Sequence, residues 1–292
     1  MLRQDELAAA KAVLAATAPG LGLSAPEVAL VAEEKLFGPG PGAPTQALAA
    51  HLDQTLVGVA AISARWLRVI AVHPRARQRG AGTALLKAAE AAAASAGAST
   101  LRTGDQPGNY LVPGIPAADG ATARFFAGRG FAPVATHESL LADLSAAPAP
   151  VIPAGHAITR ALPGHREPLC AAIAATFSPA WAFEVAAAFA AHPVTVFIAH
   201  GEGAAAPPFF GFAAHSGHNR ALGHFGPAAI LDPAAAGAGL GTALVRTALA
   251  DLAATGRRRT VIPWIGPRRF YARAVGIVGQ QRYIVMAKSL PP

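Results

Sequence analysis

Apolar and polar positions change their period along the chain, and the changes come in the same order twice. Two amphipathic stretches, residues 6–16 and 26–35, predict helices. Three short apolar runs follow, at 46–52, 56–62 and 67–72. Their length, and the Asp53–Gln54 pair between the first two, predict strands joined by a hairpin. A helical period then runs over 82–96 and stops at Gly97. A strand is expected at 100–103, a helix at 121–127, and a final strand pair over 131–144. The order then recurs: a strand at 156–161, helices at 165–175 and 179–191, and strands at 194–200, 209–215 and 222–231. A helix at 241–254 stopping at Gly256, a strand at 259–262, a short helix at 267–273 and a strand at 281–288 complete it. Repetition of one element order predicts duplication.

The stretch 145–156 is rich in Ala and Pro and has no period, the composition of a semi-rigid spacer. It sets the expected domains at 1–146 and 156–292, with 147–155 as linker. Each half is long enough to bury its own core. Charge divides unevenly. Residues 1–150 hold 12 Lys+Arg against 11 Asp+Glu, and residues 151–292 hold 12 against 5. The excess in the second half suits a polyanionic ligand, such as a phosphorylated cofactor or a nucleic acid. One cysteine, Cys170, excludes an internal disulfide framework and fits a reducing compartment, the cytoplasm. No apolar run of about 18 residues survives interruption, and Asp5 and Glu6 stand where a secretory signal carries positive charge. A soluble protein without a membrane span is expected.

The candidate chemistry lies where the two halves match residue for residue. His73-Pro-Arg-Ala-Arg-Gln-Arg-Gly-Ala-Gly-Thr-Ala-Leu aligns with Asp232-Pro-Ala-Ala-Ala-Gly-Ala-Gly-Leu-Gly-Thr-Ala-Leu at a constant offset of 159. In both, a strand leads through a Pro-marked turn and a Gly-x-Gly into a helix. Glycines allow positive φ and close approach of a ligand. The unpaired N–H groups of the first helical turn, with the positive end of the helix dipole, form an anion site. Neither copy has a P-loop lysine or the six-residue glycine fingerprint of dinucleotide folds. The candidate binding residues are Arg77, Gly80, Gly82 and Thr83 in the first copy, and Gly237, Gly239, Gly241 and Thr242 in the second.

Arg77-Gln-Arg-Gly-Ala-Gly82 resembles the acyl-CoA pyrophosphate motif of the GNAT superfamily. Ala236-Gly-Ala-Gly-Leu-Gly241 is similar but lacks the leading Arg or Gln. A later motif of that superfamily, an aromatic pair on a short helix, also occurs twice, as Phe125-Phe126 and Phe270-Tyr271. The chain resembles bacterial proteins with tandem GNAT domains. The resemblance implies an α/β fold: two tandem GNAT-like acyl-CoA N-acyltransferase domains, each a mixed, mostly antiparallel sheet flanked by helices. It implies acetyl-CoA as acyl donor and transfer of the acetyl group to a primary amine. It also implies that strand N–H groups at about Ile70 and Val72, and at Ala229 and Leu231, hold the pantetheine and polarise the thioester. Tyr271 corresponds to the tyrosine that protonates the departing thiolate, and Phe126 in the first half cannot. The second half is therefore expected to carry the chemistry, with the loss of Arg at position 236 a small cost.

The first half carries 14 more residues than the second between cradle and aromatic pair, centred on 105–116. They are expected to close an acceptor site or to pack structurally. His215, His218 and His224 are the candidate bases, and none stands out. No Cys, His or carboxylate cluster has metal-ligand spacing. The alternative to an enzyme is an acetyl-CoA-binding regulatory protein with one or both domains degenerate. Aromatic interleaving in the basic half is sparse, which argues against nucleic acid as the partner. The acceptor amine is not readable from the sequence, and a monomer or a homodimer is equally compatible with it.

Overall fold

The computed structural model of the chain describes residues 1–145, 147–203 and 208–291. They fall into two units, Met1–Glu138 with Gln281–Pro292, and Ser139–Gln280. In chain order the first part forms α1 (Leu7–Ala15), α2 (Ala25–Phe37), β1 (Gln46–Leu52), β2 (Thr55–Ser63), β3 (Trp66–Val72), α3 (Ala81–Ser95), β4 (Thr100–Thr103), β5 (Ile115–Pro116), α4 (Gly120–Ala127) and β6 (Ala132–Asp143). The remainder forms β7 (His156–Arg160), α5 (Arg166–Thr176), α6 (Pro179–Ala188), β8 (Val196–Gly201), β9 (Gly211–His215), β10 (Phe225–Ile230), α7 (Leu240–Ala254), β11 (Arg259–Ile262), α8 (Arg268–Ala274) and β12 (Gly276–Ser289).

In the first unit β1, β2 and β3 are antiparallel neighbours. β4 runs parallel to β3, and the C-terminal part of β12 pairs antiparallel with β4 and β5. Both faces of the sheet are covered, so β2 is apolar without alternation. Val59 and Ala61 join the core under α1 and α2, while Ala60 and Ile62 join the core under α3. In the second unit β7, β8, β9 and β10 form an antiparallel sheet, and the end of β6 pairs with β11. Its strands divide in the same way: Val196 and Ile198 face the α5 and α6 side, Phe197 and Ala199 the α7 side. No helix among the described residues is long and apolar enough to cross a membrane.

Two expectations are corrected. Residues 131–144 form one strand, β6, rather than a strand pair. The units do not part in the Ala/Pro stretch at 147–155: the boundaries fall inside β6 and inside β12, and residues 281–292 belong to the first unit. Period reveals that a segment is a strand; its ladder partner is a tertiary choice. Here Ala287, Lys288 and Ser289 pair with Arg102, Leu101 and Thr100.

The second unit contains a partly buried polar array centred on the buried His215. His215 Nε2 lies 2.9 Å from Asp251 Oδ2 and its Nδ1 3.0 Å from Ser216 Oγ. Arg160 closes the array with its own ion pair to Asp251. Burial lowers His215 below its usual 6.5, outweighing the pull of Asp251. Burial alone would raise Asp251, but the hydrogen bonds and charges of Arg160 and His215 hold it below its usual 3.8. Both folded values are lowered, so both contributions are full above the unfolded values and are lost on acidification. For His215 the loss sets in below 6.5, and for Asp251 below 3.8. The thermal midpoint of the wild type is expected to fall toward that of His215→Asn as pH drops from 7 to 5. A gap between the two that stays constant with pH contradicts this assignment.

Candidate functional site

The two Gly-x-Gly turns fold alike. A 3₁₀ turn over Pro74–Ala76 and another over Pro233–Ala235 follow the strands. Gln78 and Gly237 then take φ of 60° and 84°, and Gly80 and Gly239 take 85° and 86°. Glycine at the N-cap supplies no side-chain acceptor, and neither α3 nor α7 has a side-chain cap. The first helical bonds are Ala84 N–H to Gly80 and Ala243 N–H to Gly239. The N–H groups of Ala81, Gly82 and Thr83, and of Leu240, Gly241 and Thr242, precede them and are open to an anion. Gly82 and Gly241 each back onto the first ring of the aromatic pair: a Cβ would lie 3.4 Å from Phe125 and 3.8 Å from Phe270.

In the first unit this turn opens onto a cleft of about 1040 Å³, lined among others by Ile70, Val72, Arg77, Gly80, Gly82 and Thr83. That is the upper end of ordinary ligand clefts, roughly 300–1,000 Å³. The cleft exists because β3 and β4 pair only at Trp66–Arg102 and Leu67–Thr103 and then diverge. Arg68 is the bulged residue at that point: Ala61 pairs with Val69 and Ile62 with Leu67, skipping it. Its guanidinium is buried and donates to Gln106 Oε1 at 2.7 Å, the carbonyls of Lys35 and Gly38 at 3.0 and 2.9 Å, and Thr45 Oγ1 at 2.9 Å. Burial lowers it only to about 10, so it stays charged at neutral pH.

Strand phase decides which backbone groups enter the cleft. His73 N–H donates to Val57 at 2.8 Å, so alternation puts the polar groups of Ala71 and Val69 on β2 as well. Ile70 and Val72 therefore direct theirs into the opening, where Arg77 Nε approaches the Val72 carbonyl at 3.4 Å. The second unit is different. Leu231 N–H and Asp232 N–H both donate to Phe210, at 2.8 and 3.2 Å. This two-on-one bulge inserts a residue ahead of the cradle and reverses the phase. Ala229 and Leu231 are thus committed to β9, and Ala228 and Ile230 are the residues that face away from it. The constant sequence offset of 159 does not carry strand phase with it.

The extra residues of the first half are anchored and also line the cleft. Asn109 donates to the Pro39 carbonyl at 2.7 Å and accepts from the buried Lys35 ammonium at 2.7 Å. Leu111, Val112, Gly114, Ile115 and Pro116 line the cleft beyond it. Sequence reasoning missed Arg129, which also lines it. Arg129 donates to Thr83 Oγ1 through Nη2 at 2.8 Å and Nε at 3.3 Å. Its signal was available: aligning the aromatic pairs sets Arg129 against Ala274.

Tyr271 is half-buried, edge-on to Phe270 and Phe225 at 5.2 and 6.4 Å. Burial pushes its phenol up to about 12, so it holds its proton across the physiological range. Among the described residues its hydroxyl makes no hydrogen bond. Phe126, its counterpart, is fully buried between Phe125 and Phe131. The histidines considered as bases are buried. His215 is held by Asp251, His224 lies 3.1 Å from Asn219 Nδ2, and His218 is 3.7 Å from Glu184. Several arginines of the basic half are committed to carbonyls: Arg246 to Ala274 at 2.9 Å and Arg257 to Ala221 at 2.7 Å. The cleft lies in the near-neutral half.

Residues 26–110 match the acetyltransferase (GNAT) family. Among solved structures, a GCN5-related N-acetyltransferase from Sphaerobacter thermophilus aligns over 100% of this chain and 95% of its own, with TM-score 0.71 and 20% identity. A tandem GNAT protein from the clavulanic acid biosynthesis pathway aligns over 99% and 97%, with TM-score 0.71 and 18% identity. The glucosamine N-acetyltransferase region of a fungal multi-domain GH3 β-N-acetylglucosaminidase aligns over 98% of this chain, with TM-score 0.74 and 18% identity, and this chain spans 37% of that protein. Among curated proteins no relative matches the sequence. The family match thus spans the first Gly-x-Gly turn, and along the whole chain the fold is similar to those of the GCN5-related and tandem GNAT structures.

Proposed function

We propose that the chain transfers the acetyl group of acetyl-CoA to a primary amine, on a small molecule or a protein, with the donor held in the cleft of the first unit. The observation that carries this is the convergence of two sets of open N–H groups on one cleft: Ile70 and Val72 from β3, and Gly82 and Thr83 from α3. The second set suits the diphosphate. The first set suits the pantetheine amides and the thioester carbonyl, whose oxygen gains charge as the amine attacks. The amine nitrogen forms the C–N bond, the C–S bond breaks, and the thiolate takes up the proton that the amine loses. Sequence reasoning favoured the second unit, because Tyr271 can supply that proton. The cleft supports the first, where the counterpart is Phe126 and no phenol assists. Tyr271 is kept as the acid of a second-unit reaction. A positioned acid is typically worth about 10²–10⁴-fold, so the first unit would work as a slow enzyme. The lone Cys170 suits a cytoplasmic setting.

The phenyl ring of Phe126 favours one other reading, acetyl-CoA binding without transfer. Calorimetric titration with acetyl-CoA, followed by thiol release over a panel of primary amines, separates the two. Micromolar binding, about −8 kcal/mol, with thiol release is expected. Binding without release from any amine supports the binding protein, and no binding overturns both.

A further inference from the structure

Arg129 is held beside the positive end of α3. Its Nη2 and Nε donate to Thr83 Oγ1 in the first turn of α3, its Nη1 donates to the Phe125 carbonyl at 2.8 Å, and its guanidinium lies 4.0 Å from the centre of the Phe125 ring. Phe125 in turn backs onto Gly82. The positive end of a helix repels a fixed cation beside it. Among the described residues no carboxylate pairs with Arg129 to offset that repulsion. Of the five N–H groups of a guanidinium, the three bonds above leave two unused. An anion placed between the guanidinium and the open N–H groups would turn the repulsion into attraction on both sides.

The second unit is the internal comparison. It repeats the backbone of the cradle, but Ala236 stands where the first copy has Arg77, and the buried Ala274 stands where it has Arg129. Both positions at which the first cradle carries a cleft-lining cation are alanines in the second.

We infer that Arg129 is a donor-anchoring residue, which with the α3 N–H groups binds the phosphate end of a CoA thioester and makes the first unit discriminate such thioesters from phosphate-free ones. The inference rests on the proposed function. The test is titration of acetyl-CoA and of acetyl-pantetheine, a thioester without phosphates, into the wild type, Arg129→Gln and Arg129→Lys, with thermal midpoints as a check on folding. Charge-assisted hydrogen bonds of this kind predict a loss of about 10- to 100-fold in acetyl-CoA affinity for Arg129→Gln. Acetyl-pantetheine affinity is expected to be unchanged, and Arg129→Lys to recover part of the loss. Rising salt should weaken acetyl-CoA binding more in the wild type than in Arg129→Gln. Equal acetyl-CoA affinity in wild type and Arg129→Gln overturns the inference while leaving the donor assignment intact. An equal loss for both thioesters also overturns it, since Arg129 would then act by supporting Phe125. Binding of neither thioester by the wild type overturns the donor assignment itself.

Discussion

Gly82→Glu is expected to abolish acetyl-CoA binding, and Gly241→Glu to leave it unchanged. A Cβ at Gly82 would lie 3.4 Å from Phe125 and 3.5 Å from Val72, so a methyl group fits and a longer side chain must turn into the cleft. There the new carboxylate occupies the second position of the α3 turn and takes the N–H groups a phosphate would use. A carboxylate at a helix N-terminus is locally favourable, so the fold is retained while the ligand is displaced. The affinity loss is put at 100-fold or more, about 2.8 kcal/mol. Gly82→Ala is the control and should bind within a few-fold of wild type. Calorimetry on these variants also reports which unit is in use. Loss on Gly241→Glu with binding kept by Gly82→Glu would move the donor to the second unit. Tyr271→Phe would then become the decisive catalytic variant.

Arg68→Met is expected to cost about 3–5 kcal/mol of stability. Methionine replaces much of the volume but none of the donors. The Lys35 and Gly38 carbonyls and the Gln106 amide oxygen would lose the buried N–H groups they now accept from. Each unmet buried partner typically costs about 1–3 kcal/mol. Arg68→Lys should recover little, because an ammonium cannot reproduce the fork that reaches α2, Thr45 and Gln106 together. Urea unfolding measures the loss. Because Arg68 is also the bulge at which β3 leaves β4, acetyl-CoA affinity should fall in the same variant under conditions where it remains folded. A stability change below about 1 kcal/mol would falsify the role of Arg68 as a buried hydrogen-bonding anchor.

The proposed donor site and the fold therefore depend on residues of very different legibility. The cradles were readable because their requirements are local. A Gly at positive φ, a Pro turn and an uncapped helix start are written in adjacent residues, and both copies fold as read. The order of helices and strands was readable for the same reason, since period is a property of a short window. Arg129 was visible only as a difference between halves, and its meaning depends on a 2.8 Å contact to a residue 46 positions earlier. Arg68 stands in the sequence as one charge inside an apolar strand, and its partners at Lys35, Gly38, Thr45 and Gln106 are set only by the tertiary fold.

The sequence by itself determined that one α/β domain type occurs twice, where its Gly-x-Gly turns lie, and that only the second copy has a tyrosine in the aromatic pair of the short helix. The tertiary structure alone decided the rest. It assigned residues 281–292 to the first unit, because ladder partners are chosen by long-range packing and not by period. It reversed the phase of the second cradle strand through one bulged residue, which alignment cannot register because the side-chain pattern on either side still reads as a strand. It opened the described cleft in the first unit, because β3 and β4 pair at only two positions and then diverge.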